Sequence, residues 1–386
     1  MISEESPAGG LTFCRGVSDL STTDGHPLRI GEIQIVPGPF HSVAAVNRAI
    51  AEHVAGAETS LDGYWFTGPP QEVTLLVTSR DDLFNPWESS VQSVLNDLTR
   101  FMLIVQMMQL TSCRPLFDVF GPTRHEHGSD PWLHVSGPFE RRPSLYARQA
   151  RIDTSHVPQF EALSTMLGTI EQREAERARR FNEETQKRVV RTVWQFATGY
   201  FVRSHSEVDW YRTLVDLTTG LEAALSEKAD HIENIVIRLR QRAAALLATE
   251  QDPPRNIFRD VGTLYDLRSI VVHGSDLRET RLDTLINRLS TAPADSTWAL
   301  DRDIALDRIR DLLRRTLLAR LCLAGEGAVR WDYGERVVID DKEIRIDELI
   351  TDDHHRHVLR EYWQRRLREL DCAQAFEPAH NPQDTP

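Results

Sequence analysis

Hydrophobic spacing changes once along this chain, and that change limits the fold more than any single motif. From about Pro158 onward, apolar residues recur at i, i+3, i+4 and i+7 through 189–202, 208–225, 232–247, 256–273 and 306–323, the period of helices that bury one face. Five helices of this length predict a bundle. Before that point the pattern is mixed. Residues 28–36 alternate as a strand does, and 73–78 form a compact apolar run. Between them Ser42 is placed to cap a helix through Val46, Ile50 and Val54. A second helix starts near residue 88, with Val91, Val94, Leu95, Leu98, Met102 and Val105 as its stripe, and 115–120 and 132–136 read as further strands.

The expected class is therefore α+β, with four segments. Residues 1–155 form a mixed α/β module without chemistry of its own, suited to bind a partner or trigger. Residues 156–186 form a connector whose 170–187 stretch is dense in Glu and Arg at helical spacing. Residues 187–325 form the helical bundle, in which 275–298 reads as an insertion before the last helix. Residues 326–386 form an extension: a hairpin over 336–346 turning at Asp340-Asp341, a charged helix over 358–370, and a proline-containing tail expected to be disordered.

Composition narrows the function classes. Hydrophobic residues are 40% and charged residues 27% of the 386, values of a chain that can build a core. The most apolar stretch, 101–110, contains Gln106 and Gln109 and is shorter than the roughly 20 residues of a membrane span. The acidic N-terminus lacks the basic and apolar regions of a signal peptide, so a cytoplasmic location without membrane contact is expected. Cys14, Cys113, Cys322 and Cys372 are far apart in sequence and read as free, buried thiols. The net charge of −13 repels nucleic acid in bulk, so any such contact must be local. Residues 235–289 carry nine arginines against seven acidic side chains, and Arg238, Arg242, Arg255 and Arg259, with Arg240, are candidates for a weak RNA-facing groove there. Trp194, Tyr200, Trp210 and Tyr211 lie at core spacing, the commoner role for such aromatics.

No phosphate-binding loop, dinucleotide turn, zinc-protease helix or nucleophile elbow occurs in the sequence. His125, Glu126 and His127 with His134, and Asp352, Asp353, His354, His355 and His357, are ligand-type residues, but neither group has the spacing of a recognised metal site. No metal or other cofactor is expected. The fourth bundle helix carries Arg268-Ser269-Ile270-Val271-Val272-His273-Gly274. An Arg and a His five apart mean little alone, since Arg48/His53 and Arg151/His156 repeat the spacing. Here Leu264, Leu267 and Val271 form the buried stripe with Arg268 at its edge. His273 lies about 140° further round, at a C-terminus that Gly274 suits as the cap and where the helix dipole favours imidazolium.

Leu221-Glu222, Arg242-Ala-Ala-Ala-Leu-Leu, Leu264-Tyr265, Arg268-Ser269 and His273-Gly274, in that order, resemble the HEPN superfamily, specifically the Apea-like HEPN domain, over about residues 187–325. The resemblance implies a metal-independent endoribonuclease of a toxin, antiphage or stress-defence type that acts as a homodimer on RNA. Two facing helices would bring two arginines and two histidines into one cleft. Arg268 would bind the scissile phosphate and His273 would transfer the proton, with Ser269, Glu222 and Tyr265 in support. The alternative is a non-catalytic HEPN bundle that serves as a dimerisation or nucleotide-binding scaffold.

Overall fold

The computed structural model describes residues 10–38, 43–54, 73–80, 82–83, 89–109, 111, 113–123, 134–136, 149–207, 209–226, 235–273, 279–291, 298–331 and 336–375. They belong to two compact units, Met1–Gln106 with Thr111–Glu161, and Met107–Leu110 with Ala162–Pro386. An N-terminal sheet region precedes a mostly helical one, so the coarse class is α+β. Ser42 and residues 125–127, 132–133 and 376–386 lie outside the described residues, and with them the proposed helix cap, the first histidine group, the start of the 132–136 strand and the tail.

The first unit is organised on a strand that the hydrophobic pattern did not reveal. β1 (Leu11–Ser18) is buried at all eight positions. It is flanked by β5 (Val73–Arg80) and β6 (Arg114–Pro122), and the antiparallel sheet extends through β4 (Ile33–Val36) and β3 (Leu28–Ile30) on one side and β7 (His134–Ser136) on the other. The expected single strand over 28–36 is a hairpin, because Gly31 takes φ +58° and lets Ile30 pair with Ile33 across two residues. A separate parallel pair joins β2 (Leu20–Thr22) to β8 (Ala150–Ile152).

Both faces of β1 are covered. Cys14 packs in one cluster with Val46, Ile50 and Val54, the stripe of α1 (Val43–Ala51) and the residues just after it, together with Leu75, Phe117 and Val119. Gly16 belongs to the same face, where a Cβ would stand 2.2 Å from the Phe117 ring. On the other face Phe13 stacks on Phe120 at 5.1 Å between centroids. There Arg15 forms a buried bidentate pair with Asp118, at 2.6 and 3.0 Å, and donates to Thr99 Oγ1 of α2 (Ser89–Met108) at 3.0 Å.

The second unit contains most of α3 (Val157–Thr185) and then α4 (Val193–Ser206), α5 (Trp210–Leu225), α6 (Ile235–Leu247), α7 (Pro254–Val272), α8 (Glu279–Ile286) and α9 (Trp298–Leu323). Capping boxes and side-chain caps set several starts: Thr192 exchanges hydrogen bonds with Gln195 ahead of α4, and Asp209 accepts from the Arg212 N–H ahead of α5. The expected insertion over 275–298 contains α8. Leu282, Leu285, Ile286 and Leu289 are buried at i, i+3, i+4 and i+7, which makes this piece part of the core. β9 (Val329–Arg330), β10 (Arg336–Ile339) and β11 (Lys342–Arg345) form a small sheet, and Asp340 and Asp341 at φ 47° and 62° make the turn expected there. After α10 (Ile346–Thr351), α11 (Asp353–Glu369) docks through the fully buried Trp363, whose indole N–H donates to the Leu246 carbonyl at 3.1 Å.

α9 is the central helix of this unit, buried at every residue from Asp311 to Ala324. It carries charges inside. Arg308 donates two hydrogen bonds of 2.9 Å to Asp252 and one of 2.9 Å to Asp260. Arg315 donates to Asp252 at 2.5 Å and pairs with Asp311 at 3.1 Å, and Arg314 reaches Asp311 at 2.7 Å. The Ser290 N–H donates to Asp260 at 2.9 Å, so the segment after α8 joins the same network. Burial alone would lift the Asp311 pKa, but Arg315, Arg314 and Arg308 outweigh it and hold the carboxyl below its ordinary value.

Among the described residues no helix is long and apolar enough to cross a membrane. The four cysteines are free and buried, and burial pushes the Cys14 and Cys322 thiols up to about 12, which leaves them unreactive.

Two stability effects follow. Asp252→Ala leaves Arg308 and Arg315 without their shared carboxylate and is expected to cost about 3–5 kcal/mol in urea unfolding, as for a broken buried ion pair; a loss below about 1 kcal/mol would contradict the assignment. Asp311 has a folded pKa below its unfolded value of about 3.9, so its stabilisation is complete above that pH and is lost as pH falls through the folded pKa. Asp311→Asn should flatten that acid limb.

Candidate functional site

Arg268 and His273 lie near the C-terminal end of α7, whose entry and exit are set by Pro254 in the first turn and by His273 as the C-cap. Leu264, Leu267 and Ile270 are buried, and Arg268 is half-buried at the edge of their stripe. Its side chain faces α5. The guanidinium lies 3.8 Å from Glu222 Oε2 and 5.4 Å from the centre of the Tyr265 ring. Tyr265, one turn earlier, donates its hydroxyl to the same Glu222 oxygen at 2.5 Å. Burial pushes the Tyr265 pKa well above that of an ordinary phenol, and the hydrogen bond to Glu222 and its charge push it further, while Arg268 pulls the other way. Tyr265 is therefore a fixed donor that orients Glu222 and not a group that titrates near neutral pH.

Three of the residues singled out by sequence thus meet: Glu222, Tyr265 and Arg268. A separation of 3.8 Å is beyond hydrogen-bond length, and among the described residues Arg268 has no acceptor in range; its Nε is also buried without a partner. The charge is balanced by Glu222 and the ring, yet the donors are unspent.

His273 and Ser269 are exposed. The His273 N–H donates to the Ser269 carbonyl at 3.0 Å, which closes the helix. Gly274 lies outside the described residues. Val272, beside the histidine, is an apolar side chain left 53% exposed.

The arginine group does not form one surface. Arg242 is 2% exposed and held by Asp347 at 2.9 and 3.2 Å and by the Leu225 carbonyl at 3.0 Å. It satisfies the C-terminal end of α5, and the expectation that it faces RNA is corrected. Arg240 lies over Phe258 at 3.9 Å and donates to the Phe258 carbonyl at 2.9 Å. Arg238 is half-buried, while Arg255 and Arg259 are exposed near the start of α7, and Arg259 lies about 14 Å along the axis from Arg268 at 1.5 Å per residue.

Trp194 and Trp210 are core residues, and the Trp210 indole N–H donates to the Arg302 carbonyl at 2.9 Å. Asp352 accepts from the His355 N–H at 3.0 Å as the cap of α11. Among the described residues no three His, Cys, Asp or Glu side chains are grouped to hold a metal.

Sequence reasoning missed a cavity of about 370 Å³ lined by Arg203, Glu207, Tyr211, Arg212, Val215 and Val271, with Asp216. Val271 is two residues before His273, so the cavity adjoins the end of α7. Asp216 holds Arg203 through both carboxylate oxygens, and the Tyr200 ring lies 4.8 Å from the same guanidinium. The clue available was the clustering of Arg203, Tyr211 and Arg212 at the α4–α5 turn.

No protein-family model, curated protein or solved structure matches the chain.

The Tyr265–Glu222 bond joins α7 to α5, and Tyr265→Phe is expected to lower stability by about 1.5–3 kcal/mol, the range for a hydrogen bond to a charged group. Thermal unfolding of this variant beside Glu222→Gln tests the link: equal losses support one shared interaction, and no loss in Tyr265→Phe removes it.

Proposed function

We propose that residues 187–325 of the helical unit form an Apea-like HEPN endoribonuclease of a toxin, antiphage or stress-defence type, acting on RNA as a homodimer with two α7 helices facing each other. One observation carries the reading: Arg268 is held by Glu222 and Tyr265 while none of its donors is spent. A guanidinium kept in this way is suited to a phosphate, which accepts two of its N–H groups side by side. His273 is exposed at the helix end to exchange a proton, and the exposed Val272 beside it supports contact with a second copy.

In this reaction the ribose 2′-oxygen attacks the adjacent phosphorus and the bond to the 5′-oxygen breaks. The products are a 2′,3′-cyclic phosphate and a 5′-hydroxyl. Arg268 stabilises the charge that develops on the phosphoryl oxygens, and His273 takes the 2′-hydroxyl proton or supplies one to the leaving 5′-oxygen. The internal nucleophile removes the need for an activated water, so the step requires no metal.

A second reading rests on the same Arg268–Glu222 contact. If Arg268 serves only to tie α7 to α5, the unit is a non-catalytic dimerisation or nucleotide-binding scaffold.

Cleavage of labelled total RNA and tRNA by the purified chain in EDTA separates the two. The nuclease predicts cleavage that falls at least about 100-fold in both Arg268→Ala and His273→Ala, the lower end for loss of an acid–base or charge-stabilising group. Absence of cleavage by a folded dimer, in buffer and in lysate from infected cells, supports the scaffold.

A further inference from the structure

An anion beside Arg268 competes with any phosphate for the same guanidinium, and Glu222 is such an anion. A closed Arg–carboxylate pair uses two N–H groups side by side, the same fork that takes two phosphate oxygens. Asp216, six residues before Glu222 on α5, closes in this way on Arg203: its two oxygens accept from two of the Arg203 nitrogens, although the Arg203 side chain is 57% exposed. Glu222 does not close. Its Oε2 stops 3.8 Å from Arg268, beyond hydrogen-bond length, although neither side chain is walled in, at 28% and 30% exposed.

The restraint on Glu222 is visible. The Tyr265 hydroxyl donates at 2.5 Å to Oε2, the oxygen that faces Arg268. Tyr265 is 7% exposed and flanked on α7 by the buried Val261 and Leu264, so its hydroxyl is a fixed point. Tyr265 and Arg268 stand three residues apart, on one side of the helix. One helix therefore presents to a single carboxylate both the cation that attracts it and the donor that retains it.

We infer that Tyr265 is a positioning residue that keeps Glu222 from closing on Arg268, an inference that rests on the RNA-cleavage reading for the identity of the incoming anion. Glu222 is then an internal competitor of the scissile phosphate, and Tyr265 withholds it. Without the hydroxyl, the carboxylate moves onto the guanidinium and takes the two N–H groups that the phosphate needs. Arg268 and His273 remain intact in such a variant, yet the site is filled from within.

Binding of a short single-stranded RNA with 2′-O-methyl riboses, which lack the attacking hydroxyl, tests this on the full chain carrying Tyr265→Phe, Glu222→Gln or both, below each melting temperature. Cleavage of unmodified RNA is followed in parallel. Tyr265→Phe should weaken binding about tenfold, the scale of one hydrogen bond to a charged group, and should raise KM more than it lowers kcat. Glu222→Gln, which removes the competing charge, should tighten binding about threefold, the scale of a part-exposed charge pair. Tyr265→Phe added to Glu222→Gln should change nothing further, because a neutral amide has no charge to capture the guanidinium. A merely structural tyrosine would instead weaken both backgrounds by the same factor. Equal loss in both backgrounds, unchanged binding in Tyr265→Phe, weaker binding in Glu222→Gln, or undiminished binding in Arg268→Ala would each overturn the inference. Wild-type cleavage together with any of these results removes the restraint and leaves the nuclease, whereas the expected binding pattern without cleavage removes the nuclease and leaves the restraint.

Discussion

The helical unit depends on charges placed inside its central helix. α9 is buried along its second half, yet Arg308, Asp311, Arg314 and Arg315 lie on it. Such side chains are tolerated in low dielectric only when every charge has an opposite one in contact. Asp252 and Asp260 complete the set, so three arginines meet three aspartates in a neutral cluster. Apolar packing alone would let helices slide or rotate. The bidentate Arg308–Asp252 geometry and the second bond to Asp260 fix the turn before α7 and the first half of α7 against α9.

That fixation reaches the candidate site through one rigid helix. Asp260 and Arg268 are eight residues apart on α7, so the cluster that sets the rotation of the helix also sets the direction of Arg268 toward Glu222. Tyr265 completes the placement from the same helix. Arg268 is in this sense aimed by core electrostatics and then left with free donors.

Much of the helical architecture was legible, because a half-buried helix writes its period into the chain; α4–α7 and α9 all appear where the spacing placed them, with shifts at the ends. β1 was not legible, for a physical reason: with both faces covered it has no alternation, and Arg15 and Gly16 in its middle imitate a loop until Asp118 and Phe117 are seen across the strand pair. α8 did carry the signal, at Leu282, Leu285, Ile286 and Leu289, but Pro293 and the small polar residues nearby masked it. At the site, Arg268 and His273 stood out by motif and Glu222 and Tyr265 by order along the chain. Only the folded chain shows that the last two share a bond, and that Arg242 is buried behind Asp347. Spacing along one helix carries no information on what lies across from it.

The central claim is that Arg268 and His273 promote attack by the ribose 2′-hydroxyl. The most direct measurement is the chemical identity of the new RNA ends, read by mass spectrometry after incubation with the full chain in EDTA. The account predicts 2′,3′-cyclic phosphate on one fragment and a 5′-hydroxyl on the other. Fragments ending in a 3′-hydroxyl and a 5′-phosphate would show that water attacked instead, and would contradict it.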